Sequence, residues 1–191
     1  MKKILALFFM ASVAFSQWLE IDKTHSDVKF VIKHLSISNI NGHFDDYEAA
    51  IDFDAAKKRI NSLEAIVKVD SIYTKNRTRD QNLTSEIFFD TQKFKSMTFK
   101  MTDSDDKRIY GILKIKDVSK NVVFDYTYNG SAKNINGGLA HSFTLKTMLK
   151  RREFNVGKDY PIEFIGDNVW ITIDIEGNLR GDTQEKSKQN E

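Results

Sequence analysis

The feature that most constrains this chain is a hydrophobic period of two. Val28, Phe30, Ile32 and His34 share one parity, with Lys29 and Lys33 on the other. Successive side chains of a strand point to opposite faces, so such a run reads as a half-buried β-strand. The pattern then recurs along the chain. Phe44, Ala49, Ile51 and Phe53 continue it after Gly42, with an irregularity near Tyr47. Leu63, Ala65, Val67 and Val69 repeat it against Glu64, Lys68 and Asp70, and Met97, Phe99 and Met101 do so again before a polar hairpin loop at residues 103–107. Gly111, Leu113 and Ile115 follow, then Val122, Phe124, Tyr126 and Tyr128. Leu139, Phe143, Leu145 and Leu149 make the next run, and Val169, Ile171, Ile173 and Ile175 the last. These are eight strands, with two more short ones at residues 18–22 and 37–40.

One stretch, residues 76–94, breaks the rhythm. Its polar and basic start gives way to Leu83, Ile87, Phe88 and Phe89. The four-residue spacing of Leu83 and Ile87 fits one or two short helices capping an end of the sheet. Residues 54–62, rich in Ala and Lys, read as a surface connection or a helical turn. The chain has 191 residues, with no repeat or interdomain linker, and folds as one domain. It has no cysteine, which excludes a disulfide framework, a thiol nucleophile and a Cys-ligated metal or haem. Antiparallel strands with one apolar face each must hide that face in a sandwich or a closed barrel. Gly42, Gly111 and Gly138 would permit the bends that closure requires. Eight strands enclose an interior just wide enough for side chains or one small ligand.

The first sixteen residues have a separate logic. Lys2 and Lys3 precede an apolar run from Ile4 to Val13, and Ala14 and Ser16 supply small residues at −3 and −1 before Gln17. That is the layout of a secretory signal peptide cleaved after Ser16. A membrane-spanning helix needs ~20 apolar residues, and this run is too short. Loss of Lys2 and Lys3 takes the 29 basic residues to 27, equal to the 27 acidic ones, so the basic surplus leaves with the leader. A neutral mature chain gives no reason to expect a nucleic-acid partner. The tail, residues 181–191, is polar and reads as frayed.

With the strands in place, a family resemblance emerges. Trp18-Leu19-Glu20-Ile21-Asp22, then Thr24-His25-Ser26, Val28, Phe30, His34-Leu35, Gly42 and Phe44, resembles the opening signature of the YceI-like family. Ser71-Ile72-Tyr73-Thr74 with Asn76, Arg79-Asp80, Leu83 and Phe88-Phe89-Asp90 resembles the family's central helical segment. Gly111-Ile112-Leu113-Lys114-Ile115 with Val118-Ser119-Lys120, and later Leu149-Lys150-Arg151 with Phe154 and Val156, resemble its later segments in the same order. The chain departs from the pattern at Asn82, where a histidine is usual, at Lys95-Ser96 in place of a common proline, and at Asp117 and Asn155 in place of glycines.

The resemblance implies an antiparallel, eight-stranded, lipocalin-like barrel over residues 17–180. It also implies export to the periplasm and a long amphiphile in the lumen, a polyisoprenoid, isoprenoid quinone or fatty acid or amide. It leaves a homodimer open and calls for no cofactor. On this reading the ligand-binding residues are Phe30, Ile32, His34, Phe44, Leu83, Phe88, Phe89, Phe99, Leu113, Phe124, Phe143 and Leu145. The same residues would serve equally well as packed core, since a filled face and an empty one read alike. His25 and His34 lack a third ligand at metal-site spacing, and structural hydrogen bonding is the expected role for both. Arg79-Asp80 and Arg151 read as internal charge pairing rather than head-group contacts.

Other functions find less support. No Gly-x-Ser-x-Gly, phosphate loop, His-Glu-x-x-His or dinucleotide fingerprint occurs, so no catalytic residues are assigned. An enzyme acting on a lumen-bound substrate through His34, Arg79 and Arg151 is the alternative. A small outer-membrane barrel would turn its apolar face outward and end on a strand, whereas the outer faces here carry Lys, Asp and Glu. Asn82 lies in an Asn-x-Thr sequon, and Asn76 and Asn129 in minimal ones, with unmodified asparagine the default.

Overall fold

A computed structural model of the protein describes residues 17–134 and 138–180. The leader and the polar tail read from the sequence lie outside these residues. Within them run eleven strands and one α-helix: β1 (Leu19–Ile21), β2 (Asp27–His34), β3 (Ser38–Phe44), β4 (Tyr47–Asp54), β5 (Arg59–Lys68), β6 (Ile72–Tyr73), α1 (Arg77–Thr84), β7 (Ser96–Ser104), β8 (Arg108–Ile115), β9 (Val118–Lys133), β10 (Leu139–Lys150) and β11 (Ile165–Leu179). Short 3₁₀ turns occupy Val69–Ser71 and Arg151–Phe154. No helix of the described residues is long and apolar enough to cross a membrane.

All neighbouring strands are antiparallel, in the order β4-β5-β7-β8-β9-β10-β11-β2-β3-β6, with β1 paired to β11. Beyond the expected eight, the short strands read at residues 18–22 and 37–40 form as β1 and β3, and β6 is the eleventh. The run from Phe44 to Phe53 is divided between β3 and β4, because the chain turns at Asp45-Asp46, and β6 has only two residues and so no alternation to read. Of residues 54–62, only 55–58 form a turn, with Lys58 at φ 55°, and residues 59–62 already belong to β5. The helical stretch yields one helix, α1, followed by turns.

The sheet curls until its two ends meet at a seam. β1 pairs Leu19 with Leu179 and Ile21 with Gly177, and Trp18 bridges to Asp52 of β4. Phe53 N donates to Gln17 O at 2.9 Å, so β1 ties β11 to β4 at one end. Towards the other end Asp45 N donates to Ser71 O (3.2 Å) and Lys68 N to Asp46 O (2.8 Å).

Two of the glycines act otherwise than as bends. Gly42 lies opposite Phe30, and a Cβ there would fall 2.4 Å from Phe30 Cζ. At Gly111 a Cβ would fall 2.4 Å from Phe99 Cζ and 2.6 Å from Lys100 O. Each glycine is a seat for an aromatic ring lying flat on the inner face.

The interior is filled unevenly. Around β1, Phe53, Ile60, Ile109 and Phe143 have no exposed surface at all. Phe53 stacks on Tyr128 (5.9 Å between centroids) and Phe143 (6.0 Å), and its ring lies 5.2 Å from the His141 ring. Burial of each such side chain contributes ~1.5–3 kcal/mol. At the other end, inward-facing Phe30, Ile32, Ile40, Val67, Met97 and Ile171 remain half-exposed. The barrel is thus plugged at one end and hollow at the other.

Candidate functional site: an apolar lumen

The hollow end is a cavity of about 690 Å³, within the ~300–1,000 Å³ range of small-molecule sites. The period-two alternation generates it directly: every second residue of β2, β4, β5, β7, β8, β10 and β11 faces inward. Ile51, Leu63, Phe143 and Ile175 form its floor above the aromatic plug. Ala49 and Ala65, cross-strand partners on β4 and β5, leave space where larger side chains would fill it. Along β11 the lining runs from Ile165 to Ile175, roughly 33 Å of strand at ~3.3 Å per residue. With a strand tilt near 40° that is ~25 Å along the barrel axis.

All twelve residues singled out from the sequence meet here: Phe30, Ile32, His34, Phe44, Leu83, Phe88, Phe89, Phe99, Leu113, Phe124, Phe143 and Leu145 line the one cavity. Several are more buried than others, and Phe143 belongs to the floor. Ile40, Val67, Met97, Val169, Ile171, Ile173, Tyr160 and Phe164 also line it. The β11 residues among these had the alternation that would have revealed them. Tyr160 and Phe164 lie in a connection with no periodic signal.

The helical segment closes the hollow end. Asn76 caps α1, its Oδ1 accepting from Arg79 N at 3.0 Å. The helix itself buries no residue; it is anchored by half-buried Leu83 and by the turns that follow. Phe89 meets the Phe44 ring edge-on at 6.4 Å, and Phe88 lies 5.2 Å from the Tyr160 ring. Gly157, at φ 55°, makes room for Phe88, whose Cε1 would lie 2.6 Å from a Cβ there.

Polar groups enter the lining mainly from residues 74–82, with Thr74, Asn76, Thr78, Arg79 and Asn82 among them. Arg79 and Asp80 are joined through Thr74: Arg79 Nε donates to Thr74 Oγ1 (2.7 Å), which donates to Asp80 Oδ1 (2.5 Å). His34 lines the cavity near its mouth, half-buried.

Arg151 corrects the expectation of charge pairing. It is 5% exposed, and its guanidinium donates to five backbone carbonyls rather than to a carboxylate. Nε donates to Gly166 O (2.9 Å), Nη1 to Val156 O (3.0 Å) and Gly157 O, and Nη2 to Tyr160 O (3.1 Å) and Ile165 O (2.9 Å). Desolvation lowers its pKa from the ordinary value. One side chain thereby organises residues 156–164, the end of the connection between β10 and β11, together with the start of β11. Asn155, in place of a family glycine, adopts φ 56°, a left-handed conformation that asparagine tolerates better than most residues.

The buried hydroxyl of Tyr47 has no hydrogen-bond partner among the described residues, and desolvation raises its pKa. Outside the lumen, Asp22, His25 and Glu176 bring potential ligand atoms within 4.8 Å of one another, a third partner for His25 that its sequence neighbours did not indicate. Asp22 already accepts from Thr24 N (2.8 Å), Thr24 Oγ1 (2.6 Å) and His25 Nδ1 (2.8 Å), as the carboxylate of a closed turn would.

Fold and cavity together define a small antiparallel β-barrel protein with an apolar inner compartment. The model of the YceI-like domain matches residues 19–177. The chain belongs to the YceI-like family. It is 32% identical over 165 residues to a UPF0312 protein of Staphylococcus epidermidis, covering 83% of this chain and 95% of that one. The solved Campylobacter jejuni YceI protein is 32% identical, with a TM-score of 0.70 and coverage of 93% of this chain and 98% of that one. A polyisoprenoid-binding domain from Saccharophagus degradans shares the fold, with a TM-score of 0.60 over 86% of this chain and 98% of that one, at 11% identity.

Proposed function

We propose that the protein is an exported, periplasmic carrier that holds one long hydrophobic amphiphile, an isoprenoid or fatty chain, in the barrel lumen. The observation that carries this reading is the hollow end, where inward-facing apolar residues surround about 690 Å³ instead of packing on one another. The Saccharophagus degradans domain of like fold is described as polyisoprenoid-binding, which agrees with an apolar ligand. The signal-peptide layout of residues 1–16 supports export.

At ~30 Å³ per water-sized group, the cavity accommodates roughly 20 non-hydrogen atoms. A staggered chain with bonds of ~1.5 Å advances ~1.25 Å per carbon, so ~18 carbons extend over ~22 Å and fit the hollow length. Their burial is worth roughly 14 kcal/mol relative to water at ~0.8 kcal/mol per methylene. A bilayer offers nearly the same gain, so the lumen keeps the chain soluble without holding it irreversibly. Selectivity then falls to the polar groups of residues 74–82 and to lumen length. Binding is favoured over catalysis because Arg151 spends all five N–H groups on carbonyls.

The test is native mass spectrometry and organic extraction of the protein and of Ala65→Phe. A ring added at Ala65 enters open space, so the variant should melt no lower than the parent yet lose the extractable ligand. A parent without ligand that also fails to load hexadecanoic acid, or an Ala65→Phe protein that keeps its ligand, would overturn the carrier reading.

A further inference from the structure

The same end of the barrel has an outer face whose chemistry the lumen does not explain. Three separate segments converge there: the β2–β3 turn, the turns after α1, and residues 157–165. Leu35 N donates to Phe164 O at 3.0 Å, and Gly157 N donates to Ile87 O at 3.0 Å, which fixes the segments side by side. Each presents large apolar side chains to solvent: Ile37 is 84% exposed, Ile87 58% and Phe164 57%, with Leu35 and Ile162 also exposed. Single exposed hydrophobes are ordinary on a protein surface, but a cluster marks an interaction site. Phe164 belongs to both surfaces, since it lines the cavity as well. The apolar cluster is therefore the outer lip of the lumen mouth.

We infer that this lip docks on the surface of a lipid bilayer, so that the hydrophobic ligand passes between bilayer and lumen without crossing water. The inference rests on the carrier reading for its purpose, but not for its measurement. Two observations favour a bilayer over a protein partner or a second copy. The lip is continuous with the lumen, so whatever covers it also meets the emerging ligand, and a second copy would seal both mouths together. The charged residues of the three segments and their flanks are Lys33, Lys93, Lys95 and Lys158 against Glu86, Asp90, Asp159 and Glu163, four of each sign and so no basic surplus. Attraction to anionic head groups is thus not the drive; shallow insertion of apolar side chains is.

The experiment is flotation of the protein with phosphatidylcholine vesicles, alongside the double variant Ile37→Ser/Ile87→Ser, neither of whose side chains lines the cavity. Both side chains are largely exposed, so the variant should keep the parental melting temperature. Parent protein should float with the vesicles, with less than a twofold change on raising NaCl to ~0.5 M, as expected where screening has little to act upon. The variant should bind at least tenfold more weakly. It should take a fluorescent hexadecanoic acid from vesicles at least tenfold more slowly, while loading from ethanol dilution stays unchanged. Parent that does not float, a variant that floats equally, or a parental dimer that the variant converts to monomer would overturn bilayer docking while leaving the carrier reading intact. Failure of the parent to load from ethanol would instead overturn the carrier reading.

Discussion

Replacing Arg151 with methionine removes a charge from a buried position and five donors from five carbonyls at once. The carbonyls of Tyr160, Ile165 and Gly166 belong to exposed or half-exposed residues and can turn to water. Those of Val156 and Gly157, both buried, cannot. An unsatisfied buried polar group costs ~1–3 kcal/mol, so the two together cost about 4 kcal/mol. Part of that is offset because methionine spares the desolvation that lowers the guanidinium pKa; a net loss of ~3 kcal/mol is expected. For a domain of this size ~1 kcal/mol moves Tm by ~2–4 °C, giving a fall of ~6–12 °C by calorimetry. Arg151→Lys keeps the charge but has three donors instead of five, and should recover less than half of the fall. Hydrogen exchange should quicken chiefly in residues 155–166. A fall below ~3 °C, or a lysine variant as stable as the parent, would refute the assignment of Arg151 as the organiser of this connection.

Three further outcomes follow from the geometry. Gly111→Ala drives a Cβ into the Phe99 ring and the Lys100 carbonyl; overpacking should cost ~1–3 kcal/mol, seen as a lower urea midpoint, and Phe99→Leu in the same chain should return part of it. Tyr47→Phe deletes a buried hydroxyl without a partner among the described residues, so Tm should hold or rise by up to ~4 °C; a clear drop would mean that the hydroxyl is satisfied. His25 beside Asp22 has its pKa raised above the usual 6.5, chiefly by the hydrogen bond to that carboxylate, and Asp22→Asn should bring its NMR titration back towards 6.5. Since the folded value exceeds the unfolded one, this pair's contribution is complete below the unfolded pKa and fades as pH rises through the folded pKa.

How far the sequence reached depends on what each signal encodes. Alternation reports parity, and parity sorted the inward faces well enough to gather Phe30, Phe99, Leu113 and Phe143 around one cavity. Alternation does not report pairing partners, so the two-residue β6 stayed hidden and the turn before Tyr47 showed only as an irregularity. Nor does it distinguish a filled interior from a hollow one. Phe53 and Phe30 have the same pattern, yet one is packed under the floor and the other half-exposed beside open space; only the sizes of their cross-barrel neighbours decide. Gly42 and Gly111 looked like bends because sequence shows a missing side chain and not the ring that covers its place. Arg151 looked like half of an ion pair because carbonyls leave no mark in composition. The apolar lip is assembled from three distant segments, none of which carries a period.

The seam through β1 has a consequence for how the chain reaches this state. Leu19 pairs with Leu179 and β2 pairs with the same strand, β11, from the opposite edge to β10. The strand made last therefore sits in the interior of the sheet order, and the first two strands have no partner on that side until it arrives. Closing so long a loop costs entropy before any contact repays it, which makes the transition state depend on non-local pairings and folding slow for the size of the domain. The partly made chain cannot close early. It stays open until β11 is delivered, and a chain cut short of that strand would leave β1 and β2 without their main partner, held only through the short contacts of β1 with β4 and of β3 with β6.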